Sequence, residues 1–403
     1  MRKLLLLSMV PFLFFACDTD DDPKIEDLVL SSVVTDVTEA GGNDGSIDLT
    51  VAGGKSPYTF AWSNGASTED IDNLVAGVYS VTVTDAANQT ATKSDTVNGP
   101  EITSSEITVT MGAGYANDVY VSLKNGVVKT VDRTGWDLGF YTNPQSSTII
   151  TNDGQGIVLY TYPNGDASDW ESVDTTGLMT WTPMYNNVAD TIWQNGAFDR
   201  NALGHPDYGW GVYSMTTHSV YGDSIFIVKY SDGSVKKLFI HSREAMTNSF
   251  IFKFADINGQ NEDSVALACG DYLDKNMIYY SLQTKSVIDK EPASDEWDMV
   301  FTQYFDESIP YIVTGVLSNN DVQVAEVHDA DTASNDYSAA EFSKVISVIG
   351  YDWKELDMGT FSFTIVPDLV YFVKDRDDNY YKIVFTSFAG RSTGEATFIL
   401  TKY

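Results

Sequence analysis

Val119-Tyr120-Val121-Ser122-Leu123 followed by Trp136-Asp137-Leu138-Gly139-Phe140 returns later in the chain as Ile278-Tyr279-Tyr280-Ser281-Leu282 followed by Trp297-Asp298-Met299-Val300-Phe301. Two further blocks keep the same order. Trp210 and Met215 match Trp353 and Met358 at identical separation, and Val228-Lys229, Asp232, Lys237-Leu238 and Ser242 match Val373-Lys374, Asp377, Lys382-Ile383 and Ser387. Collinear recurrence marks an internal duplication, which predicts two homologous domains at 104–257 and 262–403, divided near Asn258-Gly259-Gln260-Asn261. Both copies read as strands. Residues 224–230 and 236–241 flank Ser231-Asp232-Gly233, and residues 369–375 and 380–387 flank Asp377-Asp378-Asn379, each a hairpin with suitable turn residues. One helix is predicted in the second copy: Ser338 and Glu341 form a capping box, Phe342, Val345, Ile346 and Ile349 an apolar face, and Gly350 a stop. The expected class is all-β, with one or two short helices per domain.

Residues 25–99 form a separate pattern of short β-branched runs between the turn signals Asn43-Asp44-Gly45, Gly53-Gly54, Ser63-Asn64-Gly65 and Ala76-Gly77. The segment from Val78 to Asp85 alternates at period two, as a half-buried strand does. This predicts a small Ig-like β-sandwich with Trp62 in its core and Tyr79 as a tyrosine corner. The runs from Gly53 to Gly65 and from Leu74 to Asp85 resemble the SprB-type repeat of Bacteroidetes surface proteins, which implies a spacer or adhesive module.

Arg2 and Lys3 precede an uncharged run that ends in Phe14-Phe15-Ala16-Cys17. The run is shorter than the roughly 20 residues of a membrane span, so residues 1–16 are expected to be a cleaved signal peptide. Cys17 resembles a lipobox cysteine and implies lipidation. Asp18 to Pro23 lie in the acidic tether, 17–24, expected to follow it. The resemblance extends to surface-export signals of Bacteroidetes lipoproteins, implying anchorage in outer-membrane lipid with the protein exposed at the cell surface. Twenty-four Lys and Arg against 57 Asp and Glu give a formal charge of −33, which repels phosphate backbones and excludes nucleic acid as a partner. With Cys17 lipidated, Cys269 has no partner for an intramolecular disulfide and is expected to be a buried, inert thiol in an apolar run.

The duplicated segment resembles the HmuY-like family of haem-binding lipoproteins. The resemblance rests on the Trp-Asp strand from Trp136 to Phe140, on Thr151-Asn152-Asp153-Gly154, on the closing hairpin from Val370 to Thr386, and on the final strand from Ala396 to Tyr403. It implies an Ig-like unit followed by two tandem HmuY-like β-rich domains, and haem iron held by histidines or methionines from mid-domain. The residues in that segment are His205, His218 and Met215 in the first copy and His328 and Met358 in the second. Four histidines without paired spacing give no catalytic constellation, so no enzyme is expected. The alternative is an adhesin or structural protein whose copies have lost the haem site. A glycan-stacking surface is a further reading of the aromatics Tyr160, Tyr162, Trp170, Trp181, Tyr185, Trp193, Phe198, Tyr208 and Trp210, beside Asp166, Asp169 and Glu171. If Cys17 is the anchor, Cys17→Ser releases the protein from carbonate-washed membranes, whereas retention of that variant contradicts lipid anchoring.

Overall fold

The structure is a computed structural model that describes residues 26–38, 42–190, 192–328, 331–333 and 336–403. Cys17, the leader and the whole of the tether lie outside the described residues. The chain divides into two compact units after Pro100.

The described residues of the first unit form six strands: β1 (Val29–Thr35), β2 (Gly45–Ala52), β3 (Thr59–Trp62), β4 (Ile71–Leu74), β5 (Gly77–Thr84) and β6 (Thr90–Val97). They make two three-stranded sheets, β1-β2-β4 and β3-β5-β6. Inward alternation places Ile47, Leu49, Trp62, Ile71, Leu74, Val81 and Val83 in one core. The Tyr79 hydroxyl donates to the Val75 carbonyl at 2.9 Å, a tyrosine corner. Trp62 Nε1 donates to the Thr68 carbonyl at 3.0 Å.

The second unit, Glu101–Tyr403, holds both sequence copies. Among its described residues the first copy supplies β7 (Thr103–Thr110), β8 (Asn117–Ser122), β9 (Gly126–Asp132), β10 (Leu138–Tyr141), β11 (Ile149–Thr151), β12 (Val158–Thr161), β13 (Gly211–Tyr213), β14 (Val220–Gly222), β15 (Ile225–Lys229), β16 (Val235–Glu244) and β17 (Ser249–Asp256). The second copy supplies β18 (Asp263–Ala268), β19 (Met277–Ser281), β20 (Ser286–Ile288), β21 (Met299–Asp306), β22 (Tyr311–Ser318), β23 (Gln323–Val327), β24 (Lys354–Asp357), β25 (Ser362–Ile365), β26 (Val370–Lys374), β27 (Tyr380–Phe388) and β28 (Glu395–Lys402). Each copy thus has eleven strands in the same order. Even the bulges correspond: the register shifts between Ile240 and Ser242 on β16 and between Phe385 and Ser387 on β27.

The two copies exchange strands. The order β11-β10-β19-β20 joins two strands of each copy, and β22-β21-β8-β9 repeats the same exchange in reverse. The first strand of the first copy, β7, pairs along its length with the last strand of the second, β28. Its counterpart β18 pairs with β17. Residues 258–261, where sequence similarity places the division between copies, form the turn of the β17–β18 hairpin, with the Asp256 amide donating to the Gln260 carbonyl at 2.9 Å. Each core therefore contains residues of both copies: Val109, Met111, Val119, Val121 and Leu123 pack with the second copy, and Leu267, Cys269, Ile278, Tyr280 and Leu282 with the first.

The repeated Trp-Asp strand explains why the exchange is specific. Asp137 accepts the Leu282 amide at 2.6 Å, and Asp298 accepts the Leu123 amide at 2.8 Å. Each aspartate thereby ends a strand of the opposite copy. Asn152 Nδ2 holds the carbonyls of Arg133 and Trp136, both at 3.1 Å, and Asn319 Nδ2 holds those of Ser294 and Trp297 at 2.8 and 2.7 Å. The Thr-Asn segment singled out in the sequence is thus a buried brace for the loop entering the Trp-Asp strand.

The helical turns among the described residues are short 3-10 turns. The helix predicted from Ser338 to Gly350 does not form. Its backbone is drawn to open sheet edges instead, Ser343 bridging Val324 on β23 and Gly350 bridging Val316 on β22. Ile346 and Ile349 remain buried, so the apolar pattern serves a strap over two edges rather than a helix face.

Asp137→Ala and Asp298→Ala each leave a buried amide without its acceptor and should cost about 1–3 kcal/mol. Urea unfolding of either variant is expected to lower the midpoint of one transition for the whole second unit, tryptophan fluorescence and far-UV circular dichroism coinciding. Separate transitions for the two copies would contradict the shared cores.

Candidate functional site

The haem-ligand candidates fall in two groups. His205, on the loop before β13, packs its ring against Tyr213 with centroids 5.1 Å apart and edge-on to Tyr208 at 6.3 Å. His218, on the β13–β14 connection, has a left-handed backbone with φ of 59°. Its Nδ1 lies 2.6 Å from the Tyr213 hydroxyl. Met215 occupies the same connection and is 72% exposed. The fold therefore brings His205 and His218 onto one tyrosine, with Met215 on the hairpin between them and Leu203 and Met246 also exposed on neighbouring loops.

The second copy builds no such cluster among its described residues. Met358 sits on the β24–β25 turn, the counterpart of the Met215 position, and is 70% exposed. His328 follows β23, and its Nε2 lies 2.5 Å from Glu326. Trp210 and Trp353, by contrast, are fully buried. The matched Trp and Met pair thus divides into a core anchor and an exposed tip.

Most of the aromatic-rich segment is core. Trp170 is buried, donates to Glu262 Oε2 at 2.9 Å, and has Lys237 and Lys253 nitrogens 4.6 and 4.3 Å from its ring centroid. Tyr160 and Tyr162 pack edge-on against Trp181. Tyr185 stacks on Phe305, and Trp210 Nε1 donates to the Ser147 carbonyl. Asp166 and Asp169 form the capping box of a 3-10 turn, Ala167–Ser172. These contacts account for the buried rings and for Asp166 and Asp169, while Trp181, Tyr185, Trp193 and Tyr208 are half-buried and Glu171 is exposed.

A site absent from the sequence reading lies between the two small exchanged sheets. A cavity of about 80 Å³ is lined from β8, β11, β19, β21 and β22 and by the residues between them. Its walls carry two equivalent edge-to-face pairs, Tyr120 on Trp297 and Trp136 on Tyr279, with centroids 5.1 and 4.7 Å apart. Its charges are buried. Lys290 pairs with Asp118, their side chains 4% and 5% exposed, and Thr302 Oγ1 donates to the other Asp118 oxygen at 2.6 Å. Glu291 accepts the amides of Asn276 and Met277 and the Tyr279 hydroxyl. Asp153 accepts the amides of Asn186 and Phe305. Burial pushes both of these carboxyls up to about 7. At roughly 30 Å³ per water the cavity has room for two or three waters. It is far below the roughly 300–1,000 Å³ of a site for a drug-sized ligand, so a porphyrin does not fit inside it.

Lys290-Glu291 stands in a polar stretch, Ile288-Asp289-Lys290-Glu291-Pro292, and looks like any surface charge pair in so acidic a chain. Only the strand exchange, which closes one copy over the other, buries it.

Residues 31–67 match the SprB repeat family. No curated protein matches the chain. Among solved structures, a Bacteroides vulgatus protein designated HmuY-like and heme-binding is 16% identical over 30% of this chain and 82% of its own, with a TM-score of 0.15. Trypsin-activated α-2-macroglobulin from Escherichia coli is 7% identical over 93% of this chain and 23% of its own, with a TM-score of 0.14. At those scores neither likeness bears on what the second unit binds.

Two measurements probe the cavity's electrostatics. Lys290→Met strands the buried Asp118 carboxylate and should cost about 3–5 kcal/mol, most of it recovered in Lys290→Met/Asp118→Leu. The second concerns pH. Asp153 and Glu291 hold protons in the folded protein at pH values where an unfolded carboxylate has released them, so their contribution is complete below about pH 4 and is lost as pH rises through 7. Lys354, which burial pushes down to about 7, acts in the opposite sense above that value. The thermal midpoint should therefore fall between about pH 5 and 7, at about 2–4 °C per kcal/mol, and fall less in Asp153→Asn/Glu291→Gln.

Proposed function

We propose that the chain is a surface-displayed, non-enzymatic binding protein, held by a lipid on Cys17 in the outer membrane. In this reading the SprB-type unit serves as a spacer, and the second unit carries a haem site at His205 and His218. The match of residues 31–67 to the SprB repeat supports display at a bacterial surface. The observation that carries the haem reading is the convergence of His205 and His218 on Tyr213.

The Tyr213 hydroxyl and His218 Nδ1 share a hydrogen bond. When Nδ1 carries the proton and donates to the phenolic oxygen, Nε2 keeps its lone pair for iron, the arrangement usual for a ligating imidazole whose other nitrogen is fixed by a neighbour. The left-handed backbone at His218 is the kind of locally costly conformation that clusters at ligand sites. Exposed Leu203, Met215 and Met246 supply apolar surface that a porphyrin face could cover. The second copy lacks the paired histidines, so one haem per chain is expected.

Haemin titration of the purified protein should give a Soret shift saturating at one equivalent, lost in His205→Ala/His218→Ala and kept in Met358→Ala. Loss in Met215→Ala with retention in the histidine double variant would assign methionine as the ligand. A parent protein without any Soret shift would remove the haem reading and leave an adhesive or structural role.

A further inference from the structure

The carboxylates facing the cavity between the exchanged sheets are engaged, whereas several of its donors, Trp136 Nε1 and Trp297 Nε1 among them, have no partner among the described residues. Every carboxylate facing it is engaged within the protein: Asp118 by Lys290 and Thr302, Glu291 by two amides and a tyrosine, Asp153 by two amides. The cations are not so fully used. Arg133, 7% exposed, lines the cavity and donates from Nε to the Tyr115 carbonyl and from Nη1 to the Gly154 carbonyl, both at 2.9 Å. Its Nη2 donates to no group among the described residues, and no carboxylate forms an ion pair with it there. Lys290 Nζ has one carboxylate partner for its three donors.

A buried guanidinium that feels Asp118 and Asp132 without a direct ion pair, and a buried ammonium with spare donors, can take a ligand that presents acceptors and negative charge. A cationic ligand is disfavoured, because Lys290 already occupies the ring faces of Trp136 and Tyr279, 5.0 and 5.1 Å from their centroids. The aromatic walls favour a hydrocarbon end over a fully hydrated ion, and the volume limits the ligand to a few heavy atoms.

We propose that this cavity binds a small monocarboxylate of about acetate or propionate size, its oxygens on Arg133 Nη2 and Lys290 Nζ and its alkyl end against the rings of Tyr120 and Trp297. The site is built by both copies together and is independent of the histidine cluster, so it stands or falls separately from haem binding.

The test is a ligand series on the purified protein: sodium acetate and propionate against sodium chloride, acetamide and methylammonium chloride at matched ionic strength, read by thermal midpoint and tryptophan fluorescence. The two carboxylates are expected to raise the midpoint and change the fluorescence saturably, while the neutral isostere, the cation and chloride do not. Arg133→Gln should weaken acetate binding by about 10- to 100-fold, the value of a charge-assisted hydrogen bond. An equal response to acetamide, a response reproduced by chloride, no response to either carboxylate, or unchanged affinity in Arg133→Gln would each overturn the proposal. Should Arg133→Gln fail to fold, the ligand series on the parent decides alone.

Discussion

Two carboxylates hold the second unit together, each ending a strand that belongs to the other half of the chain. Asp137 takes the Leu282 amide and Asp298 takes the Leu123 amide. Around this reciprocal pair the two copies interlock: β8 lies beside β21 and β10 beside β19, and each core is completed by the opposite copy. A single copy would expose the edges and apolar faces that its partner covers. The duplication therefore yields one interlocked body.

Interlocking also makes the unit's two candidate sites different in kind. The cavity lies where the copies meet, and its aromatic pairs obey the duplication, whereas its charges break it. Asp118 occupies the position that Met277 occupies in the other copy, and Arg133 matches Ser294. Departure from the repeat is what makes one side of the cavity charged. The histidine cluster departs differently. The β13–β14 and β24–β25 hairpins match in place, each with a buried tryptophan before it and an exposed methionine at its tip, yet only the first gathers two histidines about a tyrosine.

Much of this was legible in the sequence, for identifiable reasons. The hairpins around Ser231-Asp232-Gly233 and Asp377-Asp378-Asn379 appear as β15–β16 and β26–β27 because period-two alternation and turn chemistry act locally. Tyr79 and Trp62 fall where short-range patterning puts them. Cys269 is buried, its thiol pushed up to about 11, and takes the core place that Met111 holds in the other copy. The exchange was not legible, because near-identical strands can pair within a copy or between copies with the same side-chain pattern. The region from Ser338 to Gly350 misled for a related reason: its apolar spacing suits a helix, but open edges at β22 and β23 competed for its backbone. The charged cavity escaped because burial, not residue type, distinguishes Lys290 and Arg133 from surface cations.

The strand exchange is tested most directly by a cross-link between its most distant partners. Thr108 on β7 and Thr397 on β28 face each other, their hydroxyl oxygens 3.2 Å apart and partly buried. In Thr108→Cys/Thr397→Cys, mild oxidation should form an intramolecular disulfide in the monomer, and cleavage in the turn at 258–261 should leave the two halves joined until reductant is added. A double variant that stays reduced, or that links only between molecules, would show that the first strand of one copy does not lie beside the last strand of the other.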